Sequence, residues 1–331
     1  MHKDPVFDLR TPIVFAHRGG AGEVPESTEL AFRHAIDVGV DVLELDLNVT
    51  SDGEIVVWHG PELDKAYVDR QLLTGKSIQQ VKWADVAHAR VLDPRRPQDR
   101  SQDPRRKLLR LEEFVKVILA IEAERGLAGT MPWNVELKGK IERWEGSFAR
   151  LFASLNEQVA HRKIVLAAAR SKDLRQLRSV AETRSAPRGA YAFNLATEEQ
   201  FAYRKWMRLN LPLSLLTGIL GIFVSEKPKE SLVGYTLETS HALVGKKLVD
   251  EVHRRGGAIH AFLTAFTAVL PGVEHKGEPE LRSEIQRLLE TGIDGIMTDF
   301  PERVVPIVRQ IQATQRQPLA YSARDADPTT A

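Results

Sequence analysis

Short apolar runs recur along this chain, each followed by residues with helical periodicity, and that alternation is what most restricts its fold. The runs are residues 13–17, 42–48, 133–138, 164–168, 189–193, 232–237, 258–263 and 295–298. Helical patterns lie between them, for example over residues 111–124, 172–182 and 245–255. Strands that alternate with helices pair in parallel, because each crossover helix returns the chain to the same end of the sheet. Eight such units close into a TIM (β/α)8 barrel of the α/β class. Such barrels take about 250 residues, so a chain of 331 residues leaves room for an insertion.

A further strand pattern, residues 54–59, follows the second run after only Thr50-Ser51-Asp52-Gly53. That link is too short for a parallel crossover, so residues 42–59 are expected to form an antiparallel hairpin with an Asp-Gly turn. The return arm leads into a small insertion after the second strand, residues 60–109, within one barrel domain over residues 1–315. Inside the insertion, residues 94–107 are rich in Arg, Asp, Gln and Pro. They read as a solvated, mobile loop, with a basic contact for anionic headgroups as the alternative. The polar residues 316–331 read as a disordered tail.

A net charge of +1 gives no electrostatic footprint for nucleic acid. Absence of cysteine excludes thiol catalysis, disulfides and cysteine metal sites. Residues 1–10 lack the apolar core of a secretory leader. The longest apolar stretch, residues 211–224, is interrupted by Pro212, Ser214 and Thr217 and is too short to span a bilayer. A cytoplasmic protein is the resulting expectation. The same stretch reads as a barrel element or its flanking loop. Alternatively, with Trp206, Phe223, Lys205, Lys227 and Lys229, it forms an apolar lip in peripheral contact with a lipid surface.

Side chains alternate across a strand, which sorts the chemistry by face. In Leu43-Glu44-Leu45-Asp46-Leu47-Asn48 the leucines share one face and Glu44, Asp46 and Asn48 the other. In Asn134-Val135-Glu136-Leu137-Lys138, Glu136 and Lys138 share the face opposite Val135 and Leu137. Apolar faces fit under the helices, so the carboxylates converge inside the barrel or at its mouth. Burying several like charges is costly unless they coordinate a metal, and an oxygen donor set suits Mg²⁺ or Ca²⁺. His17 ends the first strand and His59 the hairpin's return arm, and beside such a carboxylate cluster the two can serve as general acid and base. Arg18 can clamp phosphate oxygens, and Gly19 and Gly20 allow close backbone approach to a ligand.

Taken in order, Phe15-Ala16-His17-Arg18-Gly19-Gly20, Pro25-Glu26-Ser27-Thr28, Glu44-Leu45-Asp46 and Val56-Val57-Trp58-His59 resemble the signature of the glycerophosphodiester phosphodiesterase family. Val135-Glu136-Leu137-Lys138 resembles that family's next metal-bearing strand, and Asp294-Gly295-Ile296-Met297-Thr298-Asp299 its closing strand. The resemblance implies hydrolysis of a glycerophosphodiester to glycerol 3-phosphate and an alcohol. It implies that Glu44, Asp46 and Glu136 hold a divalent cation, that His17 and His59 form the acid–base pair, and that Arg18 and Lys138 contact phosphate. Phe262 stands where the family carries an aromatic and is a possible substrate contact. Gly60 departs from the Asp that usually follows the second histidine, a change that bears on substrate choice more than on reaction type. Lysophospholipids are the alternative substrate, which would make the protein a lysophospholipase D. A non-catalytic binding protein on the same scaffold is the reading from another class.

Overall fold

A computed structural model describes residues 2–68, 71–127, 129–184, 189–196, 235–264 and 272–316. The stretch at residues 211–224, its neighbours Lys205, Trp206, Lys227 and Lys229, and the tail beyond residue 316 lie outside the described residues.

Strand β1 (Ile13–Ala16) leads through a glycine turn into helix α1 (Glu29–Val38). Thr28 caps the helix: its hydroxyl accepts from the Ala31 amide at 3.3 Å. Strands β2 (Val42–Val49) and β3 (Ile55–Val57) form the expected hairpin, pairing Leu47 with Val57 and Val49 with Ile55. The insertion then builds β4 (Glu62–Val68), β5 (Gln71–Ser77), α2 (Trp83–Val86) and β6 (Arg90–Val91), and β7 (Leu109–Arg110) rejoins β3. Strands β5, β4 and β6 make a separate antiparallel sheet. Its apolar face packs on Val56 and Trp58, which ties the insertion to the hairpin that ends in His59.

The remaining units alternate as the sequence pattern demands. They are α3 (Leu111–Glu124), β8 (Trp133–Leu137), α4 (Phe148–Val159), β9 (Ile164–Ala168), α5 (Ser171–Arg184), β10 (Ala192–Ala196), β11 (Tyr235–Ser240), α6 (Lys246–Arg254), β12 (Ala258–Phe262), α7 (Glu278–Glu290), β13 (Gly295–Thr298) and α8 (Pro301–Arg316). Parallel pairing runs β1-β13-β12-β11-β10-β9-β8-β2, and β2 returns to β1, closing a TIM (β/α)8 barrel. Among the described residues, no helix is long and apolar enough to cross a membrane.

Leu43, Leu45, Leu47, Val135 and Leu137 face outward into the helix layer. There Phe32, Phe114 and Trp133 stack edge to face, with ring centroids 4.8 and 5.0 Å apart. Inside the barrel, the N-terminal segment brings Val6 and Phe7 against Phe15, Val165, Phe262 and Met297. Asp4 Oδ2 meets His260 Nε2 at 2.9 Å in the same buried layer. His260 is therefore a paired core residue, and the polar mouth sits above an apolar floor.

One strand starts three residues later than its apolar run: residues 189–193 give way to Ala192–Ala196. Of the run at residues 232–237, the described part belongs to the strand Tyr235–Ser240. Each strand carries an inward polar residue near its end, Asn194 and Glu238, which bond to each other at 2.9 Å. A scan for apolar runs stops short of them. The charged segment 94–107 is largely solvated but anchored. The buried Arg106 guanidinium donates twice to the Val91 carbonyl, at 3.0 and 2.9 Å, and once to Asp99 at 2.8 Å.

Candidate active site

The parallel register of β2 and β8 sets Asp46 beside Glu136 and Glu44 beside Asn134. Period-two alternation turns all four inward. Glu44, Asp46 and Glu136 are only 2%, 0% and 8% exposed, so their charges have little water to share. Arg18 Nε lies 3.0 Å from Asp46 Oδ2, and Lys138 Nζ lies 3.1 Å from Asp46 Oδ1 and 2.8 Å from Glu136 Oε1. Neither contact to Asp46 is aligned as a hydrogen bond, and both of its oxygens lack a hydrogen-bond partner. Burial works against the Asp46 carboxylate, but Lys138, His59 and Arg18 hold it well below the usual range. Burial and the Asp46 charge push Glu44 well above it. Crowded buried carboxylates, with both Asp46 oxygens lacking a hydrogen-bond partner, fit a hard divalent cation. His17, Glu44 and Asp46 bring one ligating atom each within 4.8 Å of one another.

His17 follows β1 and meets Asp299, which follows β13. The imidazole Nδ1–H donates to Asp299 Oδ1 at 2.5 Å, leaving Nε2 turned to the carboxylate centre, 4.0 Å from Glu44 Oε2. Burial would raise the Asp299 carboxyl, but His17 and Arg18 hold it down at about 2. Phe262 packs edge to face on His17, centroids 4.7 Å apart. That contact steadies the ring.

The turn after His17 explains its glycines. Arg18, Gly19 and Gly20 all take left-handed φ values of 52°, 80° and 104°. A Cβ on Gly19 would lie 2.6 Å from Ala31 Cβ, and one on Gly20 would lie 3.0 Å from Pro301. The close approach seen here is to helices α1 and α8. In that turn the Arg18 amide donates to Glu44 Oε2 at 2.8 Å, and its guanidinium donates to buried Glu26 at 2.9 Å. Lys65 of the insertion adds a second contact to Glu26 at 3.0 Å.

His59 is held through its backbone. The Asn48 amide donates to the carbonyls of Trp58, His59 and Gly60 at 3.0, 3.2 and 3.2 Å. Burial, opposed by Asp46 and reinforced by Arg18 and Lys138, pushes the His59 imidazole down to about 3. At Gly60 a Cβ would stand 3.2 Å from the Glu62 carbonyl, so this tight turn suits glycine.

His17, Arg18, Glu44, Asp46, His59, Glu136, Lys138 and Phe262, singled out in the sequence, therefore lie at one barrel mouth. Sequence reasoning missed Asp299, Glu26, Asn48 as the anchor of His59, and Glu238. Glu238 is a further inward carboxylate raised by burial.

The glycerophosphoryl diester phosphodiesterase family model matches residues 17–303. A glycerophosphodiester phosphodiesterase of Bacillus altitudinis is 26% identical over 304 residues, spanning 90% of this chain and 99% of that protein. A human lysophospholipase D is 51% identical, but over 51 residues, 15% of this chain and 16% of that protein. An Oleispira antarctica phosphodiesterase, solved with the product sn-glycerol-3-phosphate, superposes with a TM-score of 0.59 at 18% identity. That superposition covers 90% of this chain and 97% of that one. Since the family match opens on His17 and carries through both halves of the mouth to Arg303, the chain belongs to the glycerophosphoryl diester phosphodiesterase family.

Proposed function

We propose that this enzyme hydrolyses glycerophosphodiesters to glycerol 3-phosphate and an alcohol, using two histidines and a divalent cation. The reading rests on one arrangement: buried carboxylates and two cations converge between a carboxylate-bound imidazole and a neutral one. Glu44, Asp46 and Glu136 would hold the cation, Mg²⁺ or Ca²⁺, which when bound polarises phosphoryl oxygens. Arg18 and Lys138 reach the same centre and would contact the phosphate oxygens, offsetting the charge that grows there during attack.

The two histidines differ in environment, and that difference suggests their roles. His59, pushed down to about 3, is neutral at pH 7 and can accept a proton from the attacking hydroxyl or water. His17 is bound through Nδ1 to the Asp299 carboxylate, which orients its ring and leaves Nε2 turned inward. Its Nε2 would donate to the leaving alkoxide. Asn48 would fix where His59 stands and Phe262 would keep the His17 ring in plane.

The short match to a human lysophospholipase D supports a second reading, in which the diester carries an acyl chain. Product identity separates the two. The protein is supplied with Mg²⁺ or Ca²⁺ and offered soluble glycerophosphodiesters and dispersed lysophospholipids. Glycerol 3-phosphate as the main product supports the first reading, and lysophosphatidic acid alone moves the assignment to the second. Absence of both contradicts phosphodiester hydrolysis.

A further inference from the structure

A cavity of about 470 Å³ opens where the inserted sheet meets the barrel rim, lined by Asn48, Ser77, Gln79, Gln80, Lys138 and Arg143 among others. Lys138 joins it to the carboxylate centre, since its Nζ lies 2.8 Å from Glu136. The size suits a small-molecule site.

The wall is organised by hydrogen bonds across the insertion boundary. Arg143 Nη1 donates to the Gln79 side-chain oxygen, and Gln79 Nε2 donates to Asn48 Oδ1 at 3.3 Å. Both side chains lie over Gly139, where a Cβ would stand 3.6 Å from Gln79 Nε2 and 3.9 Å from Arg143 Nη1. Arg143 is exposed, and among the described residues no carboxylate pairs with it.

The lining chemistry is selective. Cationic alcohols such as choline are recognised by carboxylates or by open aromatic faces. Among the described lining residues there is no carboxylate. The lining aromatic, Trp144, is only 1% exposed and spends its N–H on the Lys138 carbonyl at 3.1 Å. Amides, hydroxyls and a guanidinium instead offer paired donors and acceptors to hydroxyl groups.

We infer that this cavity receives the alcohol half of the diester and selects a polyhydroxylated alcohol bearing no positive charge, with Arg143 and Gln79 as specificity-determining residues. The inference rests on the hydrolytic reading above.

The test uses the full chain with Mg²⁺ or Ca²⁺ and four diesters: glycerophosphoglycerol, glycerophosphoinositol, glycerophosphocholine and glycerophosphoethanolamine. Glycerol 3-phosphate is their common product, so kcat/KM values compare directly. The two polyol diesters should exceed the two cationic ones by about tenfold or more, because unpaired polar walls penalise a misfit group. Arg143→Ala and Gln79→Ala should each narrow that ratio by about tenfold, mainly through KM for the polyol diesters. Equal or better turnover of the cationic diesters overturns the assignment. So does an equal loss on all four substrates in both variants, which marks a structural role. Silence on all four instead rejects hydrolysis of soluble glycerophosphodiesters, and the cavity's role with it.

Discussion

Asp299 Oδ1 accepts a 2.5 Å hydrogen bond from Nδ1 of His17 across the seam where β13 meets β1. The bond sets the tautomer that leaves Nε2 facing the carboxylates. Asp299→Asn keeps the shape but can present its amide N–H to the ring, reversing the tautomer. We expect kcat to fall by about a hundredfold or more with little change in KM, the pattern of a misoriented catalytic imidazole. Steady-state kinetics on a soluble diester measures this. An unchanged kcat would remove Asp299 from the mechanism.

Asn48 holds three successive carbonyls with one amide group. Asn48→Asp replaces the donor with a negative charge aimed at them. The loop carrying His59 should shift, lowering kcat by at least about tenfold and stability by about 1–3 kcal/mol. Kinetics and urea melts check the two effects, and wild-type values in both contradict the anchoring role.

Gly19 and Gly39 separate two costs of replacing glycine. Both have left-handed φ, 80° and 85°, but a Cβ at Gly39 meets nothing within 4 Å while one at Gly19 meets Ala31 at 2.6 Å. Gly39→Ala should cost about 1–2 kcal/mol from backbone strain. Gly19→Ala should cost about 3 kcal/mol or more and drag activity down, because the adjacent Arg18 and His17 move with the turn. Equal urea midpoints for the two variants would refute the distinction.

Stability should also carry a pH signature remote from the mouth. His253 Nε2 bonds Asp294 at 2.7 Å, and that hydrogen bond, against partial burial, raises the imidazole above its ordinary 6.5. A raised folded-state value means the contribution is complete below pH 6.5 and fades as pH climbs through the raised value. His253→Gln should flatten the fall in Tm over that window. An identical pH profile would show that the pair contributes nothing.

The barrel was legible because eight apolar runs alternate with helical patterns, and the β2–β3 hairpin because its link is too short for a crossover. The Glu44, Asp46 and Glu136 cluster was legible because alternation leaves charges only one face to occupy. Asp299 was not, since 282 residues separate it from His17 and only barrel closure joins them. Glu26 hid in a segment that reads as a helix start. Ser27, at φ 60°, breaks the chain there, and the Glu26 carboxylate meets Arg18. Glu238 was lost because it lies one residue beyond the apolar run at residues 232–237, on the inward face of β11.

The central claim is that buried carboxylates hold a divalent cation that diester hydrolysis requires, while the histidines act on protons. The direct test chelates the protein, then titrates Mg²⁺ or Ca²⁺ by calorimetry while glycerol 3-phosphate release is followed, in wild type, Asp46→Asn and His59→Ala. Wild type should lose turnover on chelation and regain it with the cation. Asp46→Asn should lose binding and turnover together, whereas His59→Ala should bind the cation yet stay silent. Full turnover by the chelated protein, or undiminished turnover by His59→Ala, would contradict the account.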